Sequence, residues 1–261
     1  MDMSIAIRIF DTPSDAGIYV AALAESVIVG NQAPVLGLAT GETPIPFYKA
    51  LVRLYECGLD LSHVVTINLD EYVGLGADHP QSYRHFMDKY LFSKTNLSPD
   101  RTVIPDGVAS NLLDECKRYD DILNNYPIDI QILGIGMNGH IGFNEPSDIL
   151  LARTHVVDLQ QETIKSNARF FDSIEQVPSR AITMGIQSIL QAKRIILMAF
   201  GKEKSTIIEQ VVTGNVSTSI PASIVQLHQD VIIVLDRDSA SNILENSIFS
   251  VIKRLKTKKE M

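Results

Sequence analysis

The chain alternates short, β-branched apolar runs with stretches in which apolar residues recur every three to four positions. Strands are expected at Ser4–Phe10, Pro34–Ala39, Val64–Leu69, Asp129–Gly134, Arg194–Phe200 and Asp230–Leu235. Most are apolar at consecutive rather than alternate positions, the pattern of strands buried on both faces in a parallel sheet. Between them, Pro13–Val29 places Val20, Leu23, Ala24, Val27 and Ile28 on one helical face. Ser82–Phe92 does the same with Tyr83, Phe86, Met87, Tyr90 and Leu91, and Leu112–Leu123 reads as a further helix. This alternation predicts an α/β fold, a doubly wound, mainly parallel sheet with helices on both faces. Residues 148–178 are more polar and less periodic, so a flap over the carboxyl ends of the strands is expected there. No repeat, low-complexity tract or linker divides residues 1–261, and one domain is expected. A last helix, about Ser239–Leu255, ends in Lys253, Arg254, Lys256, Lys258 and Lys259, cations that suit the negative end of a helix dipole.

Composition narrows the function classes. The 261 residues are 45% hydrophobic and 21% charged, which excludes a disordered chain. With 23 Lys and Arg against 31 Asp and Glu, the formal charge is −8. Nucleic-acid binding is therefore not expected, because phosphate backbones demand a basic face. An anionic ligand has to be met by a few placed cations. Cys57 and Cys116 sit in helical patterns, where packed thiols are the default, and Met1-Asp2-Met3-Ser4 does not read as the start of a signal peptide. A cytoplasmic protein with reduced thiols, not bound to a membrane, is expected.

Ligands of open parallel sheets bind beyond the carboxyl ends of the strands. After the second strand, Ala39-Thr40-Gly41-Glu42-Thr43-Pro44 offers a tight turn, with Thr43 as a cap and Pro44 at the first helical position. Such a turn can cradle a phosphate or simply start a helix. After the third strand, Asn68-Leu69-Asp70-Glu71-Tyr72-Val73-Gly74 carries adjacent carboxylates, one of which has to face the cleft. Asp70 there is either a base for a proton next to a carbonyl or imine, or a cap for the next turn. After the fourth strand, Gly134-Ile135-Gly136-Met137-Asn138-Gly139 spells a dinucleotide-binding pattern, with Asp158 near the acidic position. That reading fails because Gly142 and Pro146 follow at once and no helix can start within the motif. The loop instead offers His140, a proton carrier near neutral pH, with Asn138 and Glu145 as possible orienting partners. After the fifth strand, Gly201-Lys202-Glu203-Lys204 begins a helix with an ammonium in reach of a phosphate. The histidines have no metal-ligand spacing, and neither a metal nor a cofactor is expected.

Leu38-Ala39-Thr40-Gly41, Asn68 to Gly74, His79-Pro80-Gln81-Ser82-Tyr83, Gly139-His140-Ile141-Gly142-Phe143-Asn144-Glu145-Pro146 and Asn167-Ala168-Arg169-Phe170-Phe171 closely resemble the glucosamine-6-phosphate deaminase family, in the family's order and over nearly the whole chain. The resemblance implies conversion of glucosamine 6-phosphate and water to fructose 6-phosphate and ammonia. It implies Asp70 as the base moving a proton between C2 and C1. It implies His140, oriented by Glu145, as the group that opens the sugar ring. The phosphate is implied at Thr40, Gly41, Glu42 and Thr43 with Arg169 and Lys204.

Two positions depart from the family. Asn138 stands where many members have Asp, and an amide can only exchange hydrogen bonds with His140. Glu42 stands where a small residue is usual. A carboxylate there repels phosphate, so its backbone N–H is expected to be used while its side chain turns to solvent. A third departure concerns regulation. Allosteric, hexameric members use two basic residues after the Asn-Glu-Pro string, and the matching positions are His155 and Val157. A monomer or small homo-oligomer without an allosteric activator is expected.

Three other functions fit parts of the same pattern. A 6-phosphogluconolactonase shares the fold, but its loop continues Thr-Ala-Ser after the histidine and its reaction needs no enolisation base. A sugar-phosphate-sensing module of a transcription regulator usually follows a helix-turn-helix segment, for which a first strand at Ser4 leaves no room. A nicotinamide-linked oxidoreductase rests only on the glycine pattern already set aside.

Overall fold

The computed structural model of the chain describes residues 4–245. The chain begins β1 (Ser4–Phe10), α1 (Pro13–Gly30), β2 (Val35–Leu38), α2 (Ile45–Glu56) and β3 (Val65–Asn68). It continues through β4 (Asp70–Tyr72), α3 (Tyr83–Tyr90), β5 (Thr102–Val103), α4 (Leu112–Asn125) and β6 (Ile130–Leu133). Next come β7 (His155–Asp158), α5 (Gln161–Asn167), β8 (Arg180–Thr183) and α6 (Ile186–Leu190). The last elements are β9 (Arg194–Ala199), α7 (Ser205–Thr213) and β10 (Asp230–Asp236). Of the expected C-terminal helix, 241–245 are helical, and the five basic residues lie outside the described residues.

Seven strands form one parallel sheet in the order β1-β10-β9-β6-β2-β3-β5. Consecutive residues of each strand point to opposite faces, and both faces are covered. Leu36, Leu38, Ile130, Ile132, Ile196 and Met198 pack under α1, α2 and α3 with Val20, Phe47, Leu51 and Met87. Val35, Ile67, Leu133, Ile195, Leu197 and Ile233 pack on the other face with Tyr119, Ile189, Ile208 and Val211. That double burial is why the strands read as unbroken apolar runs. Among the described residues no helix is long and apolar enough to cross a membrane.

The strand order fixes where a ligand can sit. From β2 the sheet grows outward through β3 and β5, and from β6 it grows the other way through β9, β10 and β1. The loops leaving β2 and β6 therefore diverge to opposite faces, opening a crevice between their carboxyl ends.

Several expectations need correction. Thr43 does not cap α2: the helix starts at Ile45, Pro44 takes the cap position, and no side chain caps it. Residues 70–72, expected as a turn, form β4, which pairs antiparallel with β8, itself paired with β7, in a second, three-stranded sheet. Cys116 is buried on α4, but Cys57 is exposed beyond α2. The polar 148–178 segment contains β7 and α5, regular structure that its weak periodicity hid.

Candidate active site

The loop leaving β6 is built around two close approaches. A Cβ at Gly136 would fall 2.2 Å from His140 Cε1, so glycine is what lets the imidazole fold back over the chain. The Gly136 N–H donates to the His140 carbonyl at 2.9 Å and closes the loop. Gly142 has φ +56°, a left-handed conformation open to glycine at little cost, and a Cβ there would stand 3.3 Å from Asp70 Oδ2 and 3.0 Å from Thr183 Oγ1. The loop that presents His140 thus lies directly against the Asp70 carboxyl group.

Thr183 ties these parts together. It is fully buried, pairs with Asp70 across the β4–β8 ladder, and accepts from the Phe143 N–H through its hydroxyl at 3.1 Å. Asn144 donates to the carbonyls of Ile141 and Met184 at 3.0 and 2.9 Å, fastening the same loop to the end of β8. Sequence reasoning missed Thr183. Its only signal was one hydroxyl in the apolar run Ala181-Ile182-Thr183-Met184.

Asp70 is 5% exposed. Burial, reinforced by the adjacent Glu71 charge, pushes its carboxyl well above the ordinary range, so its ionised form is a strong base. Glu71 takes the capping task that sequence reasoning had assigned to Asp70 as an alternative. It accepts from the Tyr83 and Arg84 N–H groups at the start of α3 at 2.9 and 3.0 Å. Burial raises the Glu71 carboxyl to about 7, against the pull of its backbone donors.

His140 Nδ1 lies 3.4 Å from Glu145 Oε2, close enough to be oriented by the carboxylate but without hydrogen-bond geometry. Asn138 does more than the amide for carboxylate substitution promised. Its Oδ1 accepts from the His140 N–H at 3.1 Å while its Nδ2 donates to Glu145 Oε2 at 2.7 Å, so one side chain positions both partners. Thr163 on α5, also missed from sequence, donates to Glu145 Oε1 at 2.5 Å. Burial alone would raise the Glu145 carboxyl, but His140, Thr163 and Asn138 outweigh it and hold the group below its ordinary value. Glu145 is therefore ionised at neutral pH, as an orienting partner has to be.

The residues expected to hold phosphate converge at the switch-point crevice. A Cβ on Gly134, at the end of β6, would reach to 4.0 Å from Thr43 Cβ in the turn after β2. Lys204 donates to the Ile135 carbonyl at 2.8 Å, and its ammonium is pushed to lower pKa by burial, with the charge of Arg169 adding to the push. Glu42 does not simply turn to solvent. Its carboxylate, although exposed, pairs with the Arg169 guanidinium at 3.1 Å. Above the crevice the 167–171 segment is held by aromatic packing. Tyr72 contacts Tyr83, Phe143 and Phe171, and Asn167 Nδ2 donates to the Tyr72 hydroxyl at 2.8 Å. No group of three or more His, Cys, Asp or Glu arranged to hold a metal ion occurs among the described residues.

A family profile described as "Glucosamine-6-phosphate isomerases/6-phosphogluconolactonase" matches residues 12–234. A glucosamine-6-phosphate deaminase of Clostridium perfringens is 50% identical over 212 residues, 80% of this chain and 88% of the relative. One of Streptococcus uberis is 47% identical over 237 residues, 91% of this chain and 98% of the relative. A solved structure described as a monomeric glucosamine-6-phosphate deaminase superposes with a TM-score of 0.89 at 43% identity, covering 91% of this chain and 99% of that one. A 6-phosphogluconolactonase from Trypanosoma cruzi, at 19% identity and a TM-score of 0.72 over 93% of this chain and 98% of its own, shares the fold.

Proposed function

The chain belongs to the glucosamine-6-phosphate isomerase/6-phosphogluconolactonase family, and from that premise we propose that it is a glucosamine-6-phosphate deaminase, converting glucosamine 6-phosphate and water to fructose 6-phosphate and ammonia. The observation that carries this reading is the buried Asp70 carboxyl group set against Gly142 of the loop that presents His140. Ring opening and proton abstraction then share one cleft.

The proposed sequence begins at the cyclic sugar. His140, steered by Glu145 and Asn138, takes the proton from O1 and returns one to O5, breaking the C1–O5 bond to give the open-chain aldehyde. Asp70 removes the proton from C2, and the electron pair shifts toward C1–O1, forming an enol-type intermediate. Return of that proton to C1 and proton transfer from nitrogen to O1 leave an imine at C2. Water adds at C2 and ammonia departs, so the net change is one water in and one ammonia out. The phosphate is placed at the Thr40–Thr43 turn, where Arg169 and Lys204 supply the cations. This combines aldose–ketose isomerisation with hydrolytic deamination.

Lactone hydrolysis is disfavoured by the same observation, since a buried enolisation base has no task in it. Ile141-Gly142-Phe143-Asn144-Glu145 also follows His140 where the lactonase loop is expected to differ. We further place the activity in amino-sugar breakdown in the cytoplasm, with a monomer or small homo-oligomer as the working species. Incubating the protein with glucosamine 6-phosphate and measuring ammonia and fructose 6-phosphate together tests the function. Release of both in equal amounts is expected, and hydrolysis of 6-phosphogluconolactone without ammonia release would replace this reading.

A further inference from the structure

Asp70 and Glu71 are adjacent carboxylates in one short strand, and the pleat sends them to opposite faces. Asp70 faces the histidine loop. Glu71 faces α3, where Oε1 accepts from the Tyr72 and Tyr83 N–H groups at 2.8 and 2.9 Å and Oε2 from the Arg84 N–H at 3.0 Å. The last two donors belong to the first turn of the helix, which has no intrahelical acceptors for them. Ser82, the helix cap, accepts from the His85 N–H through its hydroxyl and leaves the Tyr83 and Arg84 N–H groups to Glu71. Glu71 therefore bolts α3 onto the strand that carries the proposed base.

The charges around the pair are few. Among the described residues, Tyr48 from α2, Tyr72 from its own strand, Tyr83 from α3 and Tyr119 from α4 lie near enough to feel the Asp70 charge, phenols that burial keeps neutral, and His140 stands on the loop packed against it. Across from it stand the neutral Thr183 and Asn144. Among the described residues, the charge that raises the Asp70 carboxyl is that of Glu71. Behind Glu71 lies a cavity of about 540 Å³ that also touches Arg84, Arg101, Arg118, Asp100 and Asp106. Its arginines are engaged elsewhere: Arg84 with Asp88 and Thr102, Arg118 with Glu115, and Arg101 with the His63 carbonyl. Among the described residues, Glu71 is thus held by backbone N–H groups and not by a neutralising cation.

We propose that Glu71 is a positioning residue for Asp70: it locks β4 to the start of α3 and holds a second carboxyl group directly behind the base. The inference rests on Asp70 being the base of the proposed reaction. Two carboxylates of like charge cannot both ionise at their ordinary pKa in a buried setting, and whichever group is better supplied with N–H donors keeps its charge more readily. Glu71 has those donors. The burden of the raised proton affinity therefore falls on Asp70, where it serves proton abstraction.

The test compares pH profiles of kcat/KM on glucosamine 6-phosphate for the full chain, Glu71→Gln and Glu71→Asp. Ionisations of the substrate are common to all three and drop out of the comparison. Glu71→Gln removes the charge, and the acidic limb should move to lower pH by about one unit. Glu71→Asp keeps the charge but is too short to reach α3, so the limb should stay while kcat falls roughly tenfold or more. Superimposable profiles for Glu71→Gln and the unsubstituted chain would overturn the proposal, whatever happens to rate or stability. Should Glu71→Gln not fold, a carbon-13 carboxylate titration of the unsubstituted protein decides the matter. Coupled two-step curves for Asp70 and Glu71 support the proposal, and independent single-step curves overturn it. Asp70→Asn, assayed alongside, separates the two failures. If that variant keeps turnover, the base assignment is wrong; if it is inactive while Glu71→Gln leaves the profile in place, only the role of Glu71 is.

Discussion

Glu42 and Arg169 stand 127 positions apart in sequence, yet the carboxylate of one lies 3.1 Å from the guanidinium of the other. The contact joins the turn after β2 to the segment that overhangs it. An exposed pair of this kind contributes about 0.2–1 kcal/mol. It is weak enough for a phosphate dianion to displace, and that displacement is the expected first event when a phosphorylated sugar arrives.

Arg169→Ala and Lys204→Ala should each weaken binding of glucosamine 6-phosphate by about one to two decades, as loss of a charge-assisted hydrogen bond does, while affinity for free glucosamine changes little. Glu42→Gln should shift affinity the opposite way, because the competing carboxylate is gone. Isothermal titration with both sugars checks all three. An unchanged preference for the phosphorylated sugar in both cation variants would place the phosphate elsewhere.

Asp70→Asn should lower kcat by about 10²–10⁴, the usual value of a positioned base, with binding retained. The same variant makes a prediction about stability. The folded-state pKa of Asp70 is raised, so the folded protein holds its proton at pH values where the unfolded chain has lost it. Stability of the unsubstituted chain therefore falls as pH rises above the ordinary carboxylate range, and it falls until the raised pKa is passed. Asn carries no charge to bury. The Tm of Asp70→Asn should exceed that of the unsubstituted chain at pH 8, and the gap should narrow toward pH 4. A constant gap across that range would show that Asp70 is not held out of its normal titration by burial.

His140→Gln should cost more on the cyclic sugar phosphate than on an analogue fixed in open-chain form, because its proposed work ends when the ring opens. Parallel kinetics on the two substrates measure this. Equal losses would assign His140 to a later step.

Regulation follows from His155 and Val157, which sit on β7 at the matching positions of the paired basic residues expected in allosteric members. One cation is gone, and the other position carries an imidazole in place of a permanently charged side chain. A ligand with no differential affinity for two conformations shifts neither. Hyperbolic initial rates are expected, unchanged by N-acetylglucosamine 6-phosphate. A sigmoidal curve that this compound makes hyperbolic would sink the prediction.

What the sequence determined by itself was everything written in local periodicity or local turn chemistry. The main-sheet strands other than the two-residue β5, the faces of α1 and α3, and the loop that sets His140 among glycines were legible, because burial on both faces and tight turns each leave a mark within a few residues. Strands β4 and β8 left none. Asp70-Glu71-Tyr72 has no apolar alternation and becomes a strand only because β8, more than a hundred residues later, supplies its ladder partners. The same pairing sends Asp70 toward Gly142 and Glu71 toward α3, a division of labour that two neighbouring carboxylates could not declare in sequence. Asn138 bridging His140 to Glu145, Thr163 donating to Glu145, and Glu42 neutralising Arg169 are likewise matters of tertiary packing. Each depends on where a distant segment returns to the crevice between β2 and β6. Strand order sets that return, and strand order is decided by how the whole sheet buries its two faces.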